Sequence, residues 1–197
     1  MARAALGLRV HSGWAALVAM SGSPGSPSVA DRRRIALAGP GIPKQPYHAA
    51  ESLGLEKAKE LLRNSVRGSR RLARQAFRET IADLAENGHK AVACGLLLAS
   101  GRPLPGLAAV LASHALIHTA DGEHFRDAIA HAAAEGNLPV TSVREKEIWA
   151  RASATLEIPI AELQRRINGM GKTIGPPWTA DQKLAALAAW VALAEAM

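Results

Sequence analysis

Ala5-Leu6-Gly7-Leu8-Arg9-Val10 and Trp14-Ala15-Ala16-Leu17-Val18-Ala19-Met20 flank a three-residue break, His11-Ser12-Gly13. Two apolar runs joined this tightly predict paired strands. Ser21-Gly22-Ser23-Pro24-Gly25-Ser26-Pro27 has the composition of a turn-rich loop. A third strand follows over 29–38, where Val29, Asp31, Arg33, Ile35 and Leu37 alternate onto one face. The first forty residues therefore predict an antiparallel meander of three strands, closed by a proline-rich connector over 39–46.

Beyond the connector the hydrophobic period changes from two to that of a helix. A long helix is expected over 55–86, with Leu62, Val66, Ala73, Phe77 and Leu84 as its buried stripe, a kink or break at Gly68, and Asn87-Gly88 at its end. Residues 90–99 are almost wholly apolar, as in a strand covered on both faces. Helices are then expected over 104–118 and 121–135, the second ended by Gly136. A short strand over 138–143 comes after a helix, as a parallel crossover requires. The rest predicts helices over 145–156, 159–167 and 180–195. Thr179 and Gln182 form a Thr-x-x-Gln capping box after Pro176-Pro177, and Leu184, Leu187, Val191 and Ala194 make the apolar stripe of that last helix.

The 197 residues suffice for one domain, with 145–197 as its C-terminal helical part. A hydrophobic content of 48% excludes a disordered chain. The single cysteine, Cys94, excludes an internal disulfide framework and a cysteine-based zinc cluster, and fits a cytoplasmic protein. No apolar run approaches the roughly 18 to 20 residues that span a bilayer. The net charge of +7 is concentrated: residues 1–80 carry +9 and the remainder −2. A local excess of cations favours a polyanion-facing surface, since counterion release needs several charges presented together.

Three antiparallel strands, a helix, a strand, helices, a strand and further helices is the element order of the ribonuclease H-like fold. The local sequence adds to this. Leu6-Gly7-Leu8-Arg9-Val10-His11-Ser12-Gly13-Trp14-Ala15 resembles the strand-turn-strand opening of RuvC-type resolvases, and the segment from Pro176 to Ala188 resembles their last helix. The resemblance implies an α/β fold with a mixed sheet, three antiparallel strands followed by two parallel ones with crossover helices. It also implies a set of carboxylates for two-metal phosphodiester cleavage, which this sequence largely lacks. Arg9 stands where the first-strand acid is expected, no Asp or Glu precedes Asp31, and Gly95 lies near the position of the fourth-strand acid. Only Asp181 matches, with Asp31, Glu51 and Glu123 as conceivable replacements for the missing acid. The family's nuclease site is expected to be absent, and no metal or cofactor is called for.

Arg63, Arg67, Arg70, Arg74 and Arg78 recur at helical spacing within a sector of roughly 80°, with Arg71 beside it. Guanidinium groups match phosphate oxygens in bidentate geometry, so this ridge is a candidate nucleic-acid interface for DNA or RNA, with Arg32, Arg33 and Arg34 nearby in sequence. A solvated helix face is the simpler alternative. His114 and His118 lie at i and i+4, close in sequence to Asp121, Glu123, His124 and Asp127. Lacking a third ligand, the pair reads as structural, and Asp121 with Glu123 as the cap of the next helix. The loop Ser100-Gly101-Arg102-Pro103-Leu104-Pro105-Gly106 follows a central strand, where open sheets bind ligands, and Arg102 could hold an anion there. Three functions stay open: a degenerate ribonuclease H-like protein that binds nucleic acid; an enzyme acting on a small anionic substrate at a cluster of His11, Arg102, His114 and His118, with Glu123 and Asp181 as further candidates; and a homodimeric scaffold.

Overall fold

The computed structural model describes residues 1–99 and 103–196. Arg102, and with it the centre of the loop after the central strand, lies outside the described residues. Strands β1 (Ala2–His11), β2 (Trp14–Ser23) and β3 (Ser26–Ala36) form the expected meander. Helices α1 (Pro46–Ala50) and α2 (Leu55–Glu86) lead to β4 (His89–Leu98), then α3 (Leu107–Leu111), α4 (His114–Glu135) and β5 (Val140–Arg144). A 3-10 turn at Glu145–Glu147 opens the helical part: α5 (Ile148–Leu156), α6 (Ile160–Ile174) and α7 (Ala180–Glu195). The sheet order is β3-β2-β1-β4-β5, with β1 parallel to β4 and β4 to β5. This is the mixed sheet of the ribonuclease H-like fold.

Strand alternation sends β1 side chains to two different layers. Leu6, Leu8 and Val10 enter a core with Phe77, Leu84, Phe125 and Ile129 from α2 and α4. The opposite face of the sheet is covered by α7, whose residues 185–193 are all buried. A stripe of four apolar positions understates this helix, because α5 and α6 supply Ile148, Ala152, Leu163 and Ile167 to the same cluster as α7 and the sheet. Alanines at 185, 186, 188, 189 and 192 suit a helix packed closely on its surroundings. The closest approach is at Gly7 and Gly95, which pair in register across β1 and β4. A Cβ on Gly7 would lie 1.9 Å from the Ala185 carbonyl oxygen, and one on Gly95 would lie 2.2 Å from that of Ala188. Gly95 therefore faces helix backbone, and a carboxylate side chain has no space there.

Four local expectations are corrected. Gly68 neither kinks nor ends α2, which runs unbroken from 55 to 86; its bare Cα instead admits Ile42, whose Cδ1 would be 2.5 Å from an added Cβ. The buried stripe of α2 takes in Ser65, Ser69 and Thr80 and leaves Val66 half-buried; the Ser65 and Thr80 hydroxyls donate to carbonyls one turn back, which lets polar residues be buried there. The break between the two helices after β4 falls at 112–113 and not near 120, so His114 and His118 occupy the first turns of α4. Finally, β3 does not present 29–37 on one face. A register shift opposite Ala19 and Met20 puts Val29 with the α7 layer and Ile35 and Leu37 in the α2 layer, as an extra residue in one strand does.

Candidate functional site

Arg9 and Gly7 lie on the same face of β1, and Arg9 stands near the strand's C-terminal end, where the face is no longer roofed by α7. The capping box found in the sequence starts α7 there: the Thr179 N–H donates to Gln182 Oε1 at 3.0 Å, and Asp181 falls in the first turn. Glu145 follows directly on β5. The Arg9 guanidinium joins the three elements. Its Nε and Nη2 donate to the two Glu145 oxygens at 2.9 and 2.7 Å, and its Nη1 donates to Asp181 Oδ1. The same Asp181 oxygen meets His11 Nε2 at 2.8 Å. His11 stacks on Trp14 at 4.3 Å and 11°, and Arg34 from the other neighbouring strand lies 4.2 Å from the Trp14 ring.

The electrostatics of this cluster are those of a closed ion-pair network. The side-on pair with Glu145 raises the Arg9 pKa more than its partial burial lowers it, and Asp181 raises it further. Burial alone would raise Asp181, but hydrogen bonds from His11 and Arg9 and their charges outweigh it, so its carboxyl lies below the usual aspartate value. Stability from Asp181 is then fully present above its unfolded pKa, about 3.9, and is lost as pH falls through the lower folded value. Asp181→Asn is expected to flatten that most acidic part of the stability-versus-pH curve, as read by urea midpoints across a pH series.

The acid joined to Asp181 is thus Glu145, which sequence reasoning took only for the start of a helix. None of the three conceivable replacements takes that place: Asp31 pairs with Arg33 at 2.5 Å, Glu123 with Arg126 at 3.0 Å, and Glu51 lies 3.9 Å from His114. Two-metal chemistry needs carboxylate oxygens free to bind both ions. Here a guanidinium engages both acids and β4 contributes none, so these residues do not fit a metal pair.

The proposed cluster of His11, Arg102, His114 and His118 divides. His11 belongs to the Arg9 network, whereas His114 and His118 gather around His48 on α1, with His48–His114 and His48–His118 ring centroids 5.3 and 4.4 Å apart. Asp121 does not start a new helix, because α4 runs through it from His114. It sits within α4, 2% exposed, accepting the Tyr47 N–H at 2.7 Å and His48 Nδ1 at 2.5 Å. Cys94 is fully buried, and burial pushes its thiol up to about 12, so it serves as core.

The arginine ridge is split by α4. Arg70 pairs with Asp127 at 2.8 Å and Arg74 with Glu135 at 3.5 Å. Arg63, Arg67, Arg71 and Arg78 are exposed, with no carboxylate partner among the described residues. Arg63 and Arg67 also line an open groove of about 860 Å³ with Tyr47, Leu62, Val66 and Leu107. The neighbouring basic triplet is used inside the molecule: Arg32 donates to the carbonyls of Gly175, Pro176 and Pro177, Arg33 pairs with Asp31 and Asp83, and Arg34 lies over Trp14.

No helix among the described residues is long and apolar enough to cross a membrane. No protein-family model matches the chain, and no curated protein matches it in sequence. Solved structures match it in fold. The chain superposes on Thermus thermophilus RuvC in complex with a Holliday junction substrate with a TM-score of 0.52 and 12% identity, over 96% of this chain and 91% of that one. A second Thermus thermophilus RuvC structure gives a TM-score of 0.51 and 11% identity, over 95% and 92%. With its sheet order and crossovers, the chain has the ribonuclease H-like fold and bears a remote resemblance to RuvC resolvases.

Proposed function

We propose that the chain is a catalytically degenerate ribonuclease H-like protein that binds nucleic acid through the exposed arginines of α2. The observation that carries this is Arg9 on the first strand, bonded to both Glu145 and Asp181. A guanidinium engages the two acids and offsets part of their charge, but unlike a metal ion it cannot bind and activate a water for attack on phosphorus. The fold is kept while the hydrolytic centre is replaced by an ion pair, which leaves binding as the function.

Arg63, Arg67, Arg71 and Arg78 support the interface, because cations without a carboxylate partner among the described residues are available to release counterions from a phosphate backbone. Arg70 and Arg74 act as the inner edge of the ridge, holding α2 to α4. The RuvC neighbour was solved with a Holliday junction, so branched DNA comes first among the polymers to test, beside duplex, single strands and RNA.

Labelled substrates are titrated across a salt series with and without Mg²⁺, and the nucleic acid is then examined for cleavage. Salt-sensitive binding with no cleavage is expected. Combining Arg63→Glu, Arg67→Glu and Arg71→Glu should weaken binding by at least about tenfold and reduce the salt slope by roughly one for each phosphate that is no longer neutralised. Mg²⁺-dependent cleavage would overturn the loss of chemistry, and no binding at low salt would overturn the interface.

A further inference from the structure

We propose that His48, His114 and His118 form a binding site for a divalent transition-metal ion, with zinc as the best fit. The site is separate from the Arg9 cluster and from the exposed arginines of α2. One ring nitrogen from each histidine lies within 4.8 Å of the other two, and the Nε2 atoms of His114 and His118 are already 3.1 Å apart. Zinc-to-imidazole bonds of 2.0–2.1 Å in a tetrahedron put ligand nitrogens about 3.3 Å from one another. The His114–His118 edge therefore matches, and the remaining edges close by a contraction of at most about 1.5 Å, within the reach of side-chain rotation about χ1 and χ2. His114 and His118 are both exposed and free to make it.

The surroundings are those of a ligand set and not of a chance surface cluster. His48 Nδ1 donates to Asp121 Oδ2 at 2.5 Å, which fixes the tautomer and leaves the Nε2 lone pair for an ion. A carboxylate behind a histidine is the usual device for orienting a metal ligand and raising its basicity. Asp121 is itself 2% exposed, and His48 is its one ion-pair partner among the described residues. A buried carboxylate calls for positive charge, and an ion on the far nitrogen of His48 supplies it. Glu51, 3.9 Å from His114, adds a second negative charge nearby. A metal ion bound by two nitrogens already 3.1 Å apart uses both of their lone pairs.

Three histidine nitrogens leave a fourth position open on the solvent side, as in zinc sites that keep a water. The ion would also tie α1 to the first turns of α4. That gives the connector between β3 and α1 a fixed anchor at its far end.

Zinc titration of the chelator-treated protein, read by calorimetry and by metal analysis after dialysis, tests this without any nucleic acid. One zinc per chain is expected, with a rise in Tm of roughly 5 to 10 °C at a hundredfold excess over Kd. Cobalt in its place should give the visible absorption of a four-coordinate site. His118→Ala, an exposed position whose loss leaves the core intact, should weaken binding by at least about a hundredfold, and Asp121→Asn by about 10–100-fold. His131→Ala, on the same helix but outside the cluster, should leave it unchanged. Wild-type protein that takes up no zinc at about 100-fold excess over protein, or zinc held equally by His118→Ala, would overturn the site.

Discussion

Gly7→Ala is expected to remove a large share of the protein's stability, read as a steep fall in the urea midpoint. The added Cβ would stand 1.9 Å from the Ala185 oxygen, 2.5 Å from the Ala189 nitrogen and 2.8 Å from the Ala189 Cβ. Two of these are main-chain atoms of α7, so no rotamer change relieves the clash. Either the helix moves off the sheet or the central strand bends away from it. Overpacking of an ordinary core position costs about 1–3 kcal/mol. Displacing a helix buried over 185–193 belongs among the exceptional cases above about 4 kcal/mol, against a total of about 5–15 for a domain of this kind.

Gly95→Ala should act in the same direction through the Ala188 oxygen at 2.2 Å. Because Gly7 and Gly95 are register partners beneath one helix, the double variant should cost less than the two single losses added together. Gly25→Ala, where nothing lies within 4 Å of the new Cβ, should stay within about 0.5 kcal/mol of the parent. Denaturant unfolding of the parent and these variants measures all of this. Near-parental stability of Gly7→Ala would mean that α7 does not sit on the sheet as described.

The same helix shows what periodicity can and cannot reveal. Strong local signals were legible: the apolar runs on either side of Gly13, the amphipathic stripe that carries α2 over its full length, and the capping box that places the start of α7 at Ala180. All three are written in consecutive residues. The burial of α7 on every side was not legible, because alanine looks equally at home on a helix surface and against a second backbone. The bulge in β3 was hidden for a related reason, since a polar run such as Asp31-Arg32-Arg33-Arg34 reports no inward face to be counted.

The candidate sites were less legible than the fold. Arg9 and Asp181 were singled out from the resemblance, but their joining by Glu145 spans 136 residues from Arg9 and leaves no local mark. A signal was present in the strand itself: Arg9 is the one Lys, Arg, Asp or Glu between Ala4 and Met20. A lone arginine in an apolar strand requires a carboxylate partner from somewhere, and Glu145 at the end of the last strand was an available one. His48 was missed as the third histidine because it lies 66 positions before His114, between the connector and the long helix, where no element is expected. The arginine ridge failed in the opposite sense. Its helical spacing was correct, yet spacing cannot show that α4 brings Asp127 and Glu135 to two of its members.

Arg9→Asp is expected to make the stability of the protein depend on divalent cations. In the parent, one guanidinium faces two carboxylates, a net charge of −1 in the cleft before His11 is counted. The substitution turns this into three carboxylates and −3, with side chains 22–39% exposed in the parent network. Loss of a fully buried ion-pair partner costs about 3–5 kcal/mol; partial exposure screens this to about 1–3 kcal/mol, to which the new repulsion adds. The neutral Arg9→Met keeps the side-chain stem and removes only the charge, so it should fall between the two. Mg²⁺, which prefers oxygen ligands and does not compete for the histidine cluster, should then raise the Tm of Arg9→Asp by several degrees while leaving the parent unchanged, since in the parent both acids are already engaged. Cleavage of nucleic acid should still not appear, because β4 supplies no carboxylate and Gly95 cannot be given one without displacing α7. Thermal melts in chelator and in millimolar Mg²⁺ separate the alternatives. An Arg9→Asp protein as stable as the parent in chelator, and indifferent to the metal, would show that the guanidinium does not neutralise the cleft, and the ion pair could then no longer stand as the replacement for the hydrolytic centre.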